Sequence, residues 1–308
     1  MVCKKCTQEP VFTLISGEKL CKYCFSHYFE KKVRKTMRQY ELIEKGDRIA
    51  VALSGGKDSS VLLSILAGMW KERKDFDLFA ILVDEGIKGY RPLTQKFAQN
   101  LCKKLGVKLY IISFKKEWGY TLDEMVKKLN KGPCTICGTF RRYLLNTEAR
   151  KLKANKIAFG HNADDEAQSI VMNLFRSNNA AAARLGVING IKKDVRFIPR
   201  IKPLYFMLEK ETTAYAFLNN LMGDFKECPY TALAYRGQVR DMLNAFENKH
   251  PGTKAGILSA FIETLPILKE HYNPGKEIAF CSKCSEPTSG EECMACRLLD
   301  ELKKNAKS

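Results

Sequence analysis

The chain has 308 residues, 45% of them hydrophobic, and its 52 lysines and arginines outnumber 34 acidic residues to give a formal net charge of +18. It contains no stretch of about 18 uncharged apolar residues, and its first residues lack a signal-peptide core, which excludes a membrane-spanning class and leads us to expect a cytoplasmic protein. Because self-repulsion on this scale does not favour folding, a polyanionic partner such as RNA or DNA is the natural explanation, with a solvated basic surface as the alternative.

Two cysteine pairs near the N-terminus predict a zinc site. The two Cys-x-x-Cys pairs, separated by fourteen residues, are Cys3 with Cys6 and Cys21 with Cys24. In a reducing compartment, clustered cysteines bind metal more often than they form disulfides, and four thiolates at this spacing suit tetrahedral Zn²⁺. We therefore predict a structural zinc module over residues 1–28, with His27 as an alternative ligand to Cys24.

A basic linker helix is predicted to follow, over residues 29–47. Its segment Lys31–Arg38 has five positive residues and no negative one, beside the apolar Val33 and Met37. On a helix these charges would form a cationic stripe, which either faces RNA or stays solvated.

An anion-binding turn is predicted where the first buried strand ends. The apolar run Ile49–Leu53 leads into a glycine turn, and a helical pattern then begins near Val61. The turn consists of Ser54, Gly55, Gly56, Lys57, Asp58 and Ser59. A helix start aims unpaired N–H groups at such a turn, the glycines admit close backbone approach, and the lysine and serines add donors. We expect phosphate to bind here, and an ordinary serine-capped turn is the alternative.

Strands and helices alternate through the central region, residues 48–202, which predicts an α/β fold with a doubly wound parallel sheet. The predicted strands are Ile49–Leu53, Phe76–Val83, Lys108–Phe114 and Lys156–Gly160. The predicted helices are Ser60–Arg73, Leu93–Leu105, Thr121–Leu129, Arg141–Lys153 and Asp164–Phe175. Residues 203–277 are predicted to be a helical extension, with helices at Lys210–Leu221, Ala234–Asn248 and Lys254–Leu265.

Acidic residues follow two further strand ends, where ligands of such sheets bind. After Val83, Asp84 could receive a ribose hydroxyl or the adenine edge, or simply cap the turn. After Gly160, the carboxylates of Asp164 and Asp165 open a helix. We assign Asp164 to the helix cap and Asp165 to the chemistry, as a magnesium ligand or as a polariser of the attacking group.

Three further cysteines form an incomplete metal set. Cys134 and Cys137 form a lone Cys-x-x-Cys pair, and Cys228 lies far along the chain. Three thiolates leave one position open for substrate, water or sulfide. Either the trio holds a [4Fe–4S] cluster with one open iron, or two of its members act as persulfide and resolving thiol; a closed metal site is the third possibility. The nearby Arg141 and Arg142 could brace a phosphate or face solvent.

The last part of the chain adds a basic surface and a second zinc module. Basic residues recur from Arg176 to Lys202, Lys192 and Lys193 among them, which suits contact with nucleic-acid phosphates. Residues 278–308 are predicted to form a C-terminal zinc module that ends in a charged helix, Arg297–Lys304. Its four ligands are Cys281, Cys284, Cys293 and Cys296.

Taken in order, the two four-cysteine modules, SGGKDS, VDEGI, PCTICG, GHNADDEAQ and ECPY resemble the TtuA-type tRNA 2-thiouridine synthetases, in the TtcA/TtuA group of the PP-loop N-type ATP pyrophosphatases. The resemblance covers essentially the whole chain and implies that residues 54–59, Val83, Gly160 and Asp165 contact ATP. It also implies that Cys134, Cys137 and Cys228 bind the iron–sulfur cluster. Arg141 stands where relatives often carry a lysine near ATP. Together the residues and the resemblance give Asp58, Asp165, Cys134 and Cys228 as the predicted catalytic residues, with Asp84 and Arg141 as further ATP contacts.

The activity so implied is 2-thiolation of a tRNA uridine in two steps. ATP with Mg²⁺ adenylates the C2 oxygen and releases pyrophosphate, and sulfur then displaces AMP. The sulfur donor would be a ubiquitin-like thiocarboxylate carrier or sulfide, and a homodimer is possible by analogy. The alternatives are a 2-thiocytidine synthetase, a lysidine-type ligase that needs no cysteine trio, and a non-enzymatic zinc-bearing RNA-binding scaffold that would not need the SGGKDS turn.

Overall fold

The computed structural model describes residues 2–190, 196–223, 227–231, 235–273 and 279–305. Its strands are β1 Phe12–Thr13, β2 Lys19–Leu20, β3 Arg48–Ala52, β4 Asp77–Asp84, β5 Lys108–Ser113, β6 Lys156–Ala158, β7 Ile188–Asn189, β8 Arg200–Ile201, β9 Ala279–Phe280 and β10 Pro287–Thr288. Its helices are α1 Lys22–Gln39, α2 Lys57–Arg73, α3 Arg91–Leu105, α4 Phe114–Trp118, α5 Leu122–Lys128, α6 Pro133–Lys151, α7 Ala163–Phe175, α8 Asn179–Ala182, α9 Glu209–Leu218, α10 Tyr235–Lys249, α11 Thr253–His271 and α12 Met294–Asn305. Lys192, Lys193, Ala234 and the predicted boundary at residues 277 and 278 lie outside the described residues.

The central sheet has the strand order β5-β4-β3-β6-β8-β7, and all neighbours are parallel except β7 and β8. The strand order reverses between β3 and β6, and ligands of such sheets bind at this switch point. Side chains alternate between the two faces, because Ala80 and Leu82 enter one core cluster while Phe79 and Ile81 enter the other. The predicted α/β architecture is confirmed.

Helix α1 is more deeply embedded than a solvated linker. Phe25, Phe29, Val33 and Met37 recur every four residues and are buried, and the Phe29 ring stacks on Tyr215 of α9 at 4.5 Å. The helix runs without a break through residue 28, and Lys31, Lys35 and Arg38 face solvent. The apolar face therefore anchors α1, while an RNA contact by its basic face stays a prediction.

Two segments differ from the predicted elements. Cys134 and Cys137 were expected in an insert before a helix starting at Arg141, but α6 already begins at Pro133, because proline lacks an N–H and suits the first helical position. The strands β7 and β8 were not predicted, since two residues each are too few to show a period of two.

The two terminal modules lie on opposite sides of the sheet. Each contains one two-stranded antiparallel ribbon, β1 with β2 and β9 with β10. Cys3 and Cys21 pack into the core cluster that includes the buried face of α1, whereas Cys281 and Cys296 pack into the cluster that includes α6. In the described part of the chain, no helix has both the length and the apolar character needed to span a membrane.

Candidate functional site

A cleft of about 500 Å³ opens beyond the carboxyl ends of β3, β4 and β6. Most residues predicted to bind the nucleotide line it: Ser54, Gly56, Asp58, Ser59, Val83, Arg141, Gly160 and Asp165. Gly55, Lys57 and Asp84 are not among its lining residues. Its size suits a small-molecule ligand, and its position matches the switch point of the sheet.

The turn after β3 is held in a fixed shape by its own hydroxyls and by α3. The Ser59 hydroxyl donates to the Gly56 carbonyl over 3.0 Å and lies 3.0 Å from the Ser54 hydroxyl. Gly55 has a φ of +83°, and a Cβ there would lie 2.3 Å from the Thr94 carbonyl oxygen. Helix α2 begins at Lys57, so its first N–H groups face the turn and offer an anion site.

The ammonium of Lys57 pairs with two carboxylates, Asp58 of the cleft lining and Glu209 outside it. Its Nζ lies 2.9 Å from Glu209 Oε1 and 3.1 Å from Asp58 Oδ2. Burial opposes the charge, but the two carboxylates outweigh burial and raise the pKa of Lys57 above its usual value. In this conformation the backbone amides and serines, rather than Lys57, face a ligand.

Arg91 supports the turn from behind and was not foreseen from the sequence. It is buried, its Nη1 donates to the Ser54 carbonyl over 2.8 Å, and its Nη2 lies 2.5 Å from Glu85 Oε2. The other Glu85 oxygen lies 3.8 Å from Arg141 Nη1. No local pattern marks Arg91, because its carbonyl partner is 37 positions away in the chain.

Asp84 has a local structural role in the turn that follows β4. Its Oδ1 accepts the Gly86 N–H over 2.8 Å, which is the turn-capping alternative, while Glu85 lines the cleft beside Val83. A contact between Asp84 and the nucleotide stays a prediction.

The cap of α7 is Asn162, so the assignment of Asp164 to the cap was wrong. Asn162 Oδ1 accepts the N–H groups of Asp164 and Asp165, and Asp165 returns the bond by accepting the Asn162 N–H over 3.2 Å. Asp164 is buried, pairs with Lys254 and accepts the Glu209 N–H over 2.7 Å. An amide caps as well as a carboxylate here and carries no charge, which leaves Asp164 free to pair elsewhere.

Two carboxylates, Asp58 and Asp165, face the cleft from neighbouring strand ends. Burial and the Asp58 charge raise the pKa of Asp165 to about 6. Asn162 Nδ2 donates to Asp58 Oδ1 over 3.1 Å, and a Cβ on Gly160 would lie 2.8 Å from the backbone of Asp58. Oxygen ligands that repel one another suit Mg²⁺, so the pair fits the predicted magnesium site.

Cations surround the other half of the cleft. Desolvation within the cleft and the charges of Lys202, Arg236, Arg141 and Arg200 lower the pKa of His161, about half of whose side chain is accessible to solvent, so its imidazole is neutral at physiological pH. Lys202 is neutralised by Glu166 at 2.7 Å, whereas Arg200 has no ion-pair partner among the described residues. This half of the cleft therefore suits a polar or anionic ligand.

The cysteine trio lies near Glu85 and Arg141, two residues of the cleft, although none of the three cysteines lines the cleft itself. Cys134 Sγ lies 3.9 Å from the Tyr230 carbonyl, which follows Cys228 by two residues. The pKa of Cys137 is raised to about 12, mainly by burial and also by the charges of Glu85 and Cys228, while Arg141 opposes the rise. The structure therefore brings Cys137, Cys228, Glu85 and Arg141 into one electrostatic neighbourhood.

The spacing of the trio differs from that of the terminal cysteines. In the described part of the chain, groups of three or more sulfurs within 4.8 Å of one another occur only as the two terminal sets, Cys3, Cys6, Cys21, Cys24 and Cys281, Cys284, Cys293, Cys296. A Zn–S bond of about 2.3 Å places tetrahedral sulfurs about 3.8 Å apart, so both terminal sets fit zinc and His27 is not needed. The wider trio suits a polynuclear cluster better than one ion.

Comparison with known proteins adds three findings. A family model described as a PP-loop domain matches residues 25–227. A probable sulfurtransferase of Methanocaldococcus jannaschii is 37% identical over 98% of this chain and 88% of its own, and a tRNA-5-methyluridine(54) 2-sulfurtransferase of Pyrococcus horikoshii is 34% identical over 96% and 93%. A solved U34-tRNA thiolase NcsA of Methanococcus maripaludis, with its [4Fe-4S] cluster, superposes with a TM-score of 0.85 at 34% identity, over 98% of this chain and 96% of that one.

Proposed function

Because the chain belongs to the PP-loop family, and within it to the tRNA-thiolating sulfurtransferases, we propose that it uses ATP to replace the C2 oxygen of a tRNA uridine by sulfur. The observation that carries the proposal is that residues lining one cleft form the anion-binding turn and lie close to the cysteine trio. Glu85 links them, since its carboxylate contacts Arg91, which supports the turn, and faces Arg141, which lies beside Cys137 and Cys228.

The first step is adenylation of the base. The uridine O2 attacks the α-phosphorus of ATP, a P–O bond to the β-phosphate breaks, and pyrophosphate leaves into the turn Ser54–Ser59. The N–H groups at the start of α2 and the two serine hydroxyls offset its charge. Asp58 and Asp165 would hold Mg²⁺ against the phosphates, which stabilises the negative charge of the transition state.

In the second step, sulfur replaces the activated oxygen. A sulfide sulfur attacks C2, the C2–O bond breaks, and AMP leaves with the former uridine oxygen. Cys134, Cys137 and Cys228 would hold the [4Fe–4S] cluster, which when bound supplies an open iron that orients the sulfur. The exchange is not a redox reaction, so the trio is expected to bind and position sulfur and not to carry electrons.

The remaining partners follow from charge and thiol chemistry. Zinc at the two terminal cysteine sets has a structural role in the proposal, because each set is closed by four thiols. The net charge of +18 supports tRNA as the macromolecular partner. A thiocarboxylate carrier or sulfide as the donor, a homodimer, and a cytoplasmic location complete the proposal.

Replacement of one trio cysteine tests this function. Anaerobically purified protein, incubated with ATP, Mg²⁺, sulfide and unmodified tRNA, is expected to form 2-thiouridine and AMP in equal amounts. Cys228→Ala is expected to abolish thiouridine and to leave tRNA affinity within about 2-fold, because Cys228 is partly buried and carries no positive charge for a phosphate. Nucleoside mass spectrometry and filter binding measure the two quantities.

Cys102→Ala is the matched control, since Cys102 is buried in α3 and belongs to neither terminal set nor the trio. It should thiolate like the unchanged protein. Normal thiolation by Cys228→Ala would show that the trio is not the sulfur site.

A further inference from the structure

Two polar atoms in the cation-rich half of the cleft are buried and have no hydrogen-bond partner in the described structure. They are Oδ1 of Asn189 and Nε of Arg200, and both residues line the cleft. Buried donors and acceptors are normally paired, because an unpaired one loses its bonds to water without replacement. The two atoms therefore mark a place for a ligand that offers one donor and one acceptor side by side.

The strand register explains why these atoms point to one ligand. Asn189 of β7 and Arg200 of β8 face each other directly in the antiparallel pair, so their side chains leave the sheet on the same face. One atom is an acceptor and the other a donor, yet they do not bond to each other. The Arg200 guanidinium is fixed against the rings of Phe159 and Phe197, at 5.8 and 5.5 Å.

A flat, uncharged surface lies next to these atoms. The rings of Phe159 and His161 are nearly parallel, at 17° and 5.5 Å between centroids, and His161 lines the cleft as a neutral imidazole. Unstacked RNA bases bind by stacking on such rings or on a guanidinium plane and by hydrogen bonds along their Watson–Crick edge. The ligand that fits is a single flipped-out base.

We infer that this half of the cleft selects uracil, with Asn189 Oδ1 accepting the N3–H and Arg200 Nε donating to O4. This inference rests on the proposed function and names the part of the substrate that the site recognises. Cytosine has an amino group at C4 and no hydrogen on N3, so both bonds would become repulsive.

The test uses the full-length enzyme and two tRNA transcripts that carry uridine or cytidine at the target position. Asn189→Leu and Arg200→Lys are each expected to lower kcat/KM on the uridine transcript roughly 10- to 100-fold, the usual effect of leaving one base-edge group unpaired. Asn189→Leu should also lower the ratio of kcat/KM on the uridine transcript to kcat/KM on the cytidine transcript. The ATP dissociation constant, measured by equilibrium dialysis, should stay within about 2-fold, because neither residue touches the turn.

Two further variants complete the design. Ile188→Ala changes the neighbouring, partly exposed position of β7 and should behave like the unchanged enzyme. Asn189→Asp keeps an acceptor for N3–H and should retain uridine thiolation within about 3-fold. A loss with Asn189→Asp as large as with Asn189→Leu overturns the inference.

The remaining outcomes separate the inference from the proposed function. If the unchanged enzyme binds ATP but forms no thiouridine, the proposed function itself fails. If it forms thiouridine while Asn189→Leu and Arg200→Lys match it in rate and in preference for uridine, the function stands and uracil recognition by these residues is refuted.

Discussion

Asp164 and Asp165 are adjacent in sequence and have opposite environments. Asp164 is buried against Lys254 and the Glu209 N–H, whereas Asp165 faces the cleft and the like charge of Asp58. Removing one partner of a buried ion pair destabilises the folded protein, because the other charge is left uncompensated. A buried carboxylate near a like charge destabilises the folded protein less when it is neutral. The two residues should therefore respond oppositely to the same substitution.

Asp165→Asn is expected to raise the melting temperature of the metal-free protein at pH 7.5. The pKa of Asp165 rises from an ordinary 3.8 to about 6 on folding, so the folded state binds more protons between those values. Stability contributed by the protonated form is therefore lost as pH rises through this window. The gain of Asp165→Asn should vanish toward pH 4, as measured by thermal melting across pH.

Asp164→Asn is the matched comparison and should lower stability by roughly 3 kcal/mol. Equal effects of the two substitutions would contradict the assignment.

Single residues of the site were predictable where a local pattern exposes their chemistry. Ser54, Gly56 and Asp58 belong to a short, distinctive turn, and the structure places them in the cleft. Arg91 and Asn162 were missed for different reasons. Arg91 donates to a carbonyl that lies far away in the sequence. Asn162 was missed as the cap because the two carboxylates that follow it closely also suit a helix start.

At the scale of elements, the loop between β6 and α7 packs directly against the backbone at the start of α2. Gly160 faces the backbone of Asp58 and Ser59 so closely that an added Cβ would lie 2.8 Å from each. This contact sets the two carboxylate-bearing loops side by side. The absence of a side chain at Gly160 is therefore required for the shape of the cleft.

Gly160→Ala is expected to weaken ATP binding about 10-fold or more, because the loops must separate to admit the methyl group. Gly68→Ala, within α2, is the control, since a Cβ there meets no atom within 4 Å. It should stabilise the protein by about 0.5–1 kcal/mol through helix propensity. Calorimetric titration with ATP and denaturant unfolding measure the two effects. ATP binding that Gly160→Ala leaves unchanged would contradict the packing of this junction.

The long elements were predictable and the short ones were not. Strand β4 contains a continuous apolar run within its eight residues and α2 is a helix of 17 residues, and their predicted ranges nearly match the structure. The pair β7–β8 owes its strand conformation to the sheet it extends and not to its own two-residue segments. Since Asn189 and Arg200 lie on that pair, the proposed uracil contacts could not be predicted from the sequence.

At the scale of the whole molecule, the two ends of the chain support opposite faces of the sheet. The C-terminal cysteines and α12 share one core cluster with α6, the helix that carries Cys134 and Cys137. The N-terminal cysteines share the other cluster with α1. The proposed zinc at the C-terminal set should therefore affect the proposed sulfur site more than the proposed zinc at the N-terminal set.

Cys296→Ser is expected to lower the melting temperature and to reduce the iron–sulfur content per chain, because α6 loses part of the surface on which it packs. Cys24→Ser, at the N-terminal set, should lower the melting temperature with a smaller loss of iron. Metal analysis and the visible absorbance of anaerobic protein give both values. Iron content that falls equally in the two variants would contradict the separation of the two faces.

The position of α12 also bears on how the protein matures. Because α12 is synthesised long after α6 and packs on it, a nascent chain can complete the anion-binding turn before the surface under Cys134 and Cys137 is assembled. We therefore expect iron and sulfide of the proposed cluster to enter only after α12 has docked on α6. A protein truncated before Cys281 is expected to bind nucleotide but not to assemble the proposed iron–sulfur site.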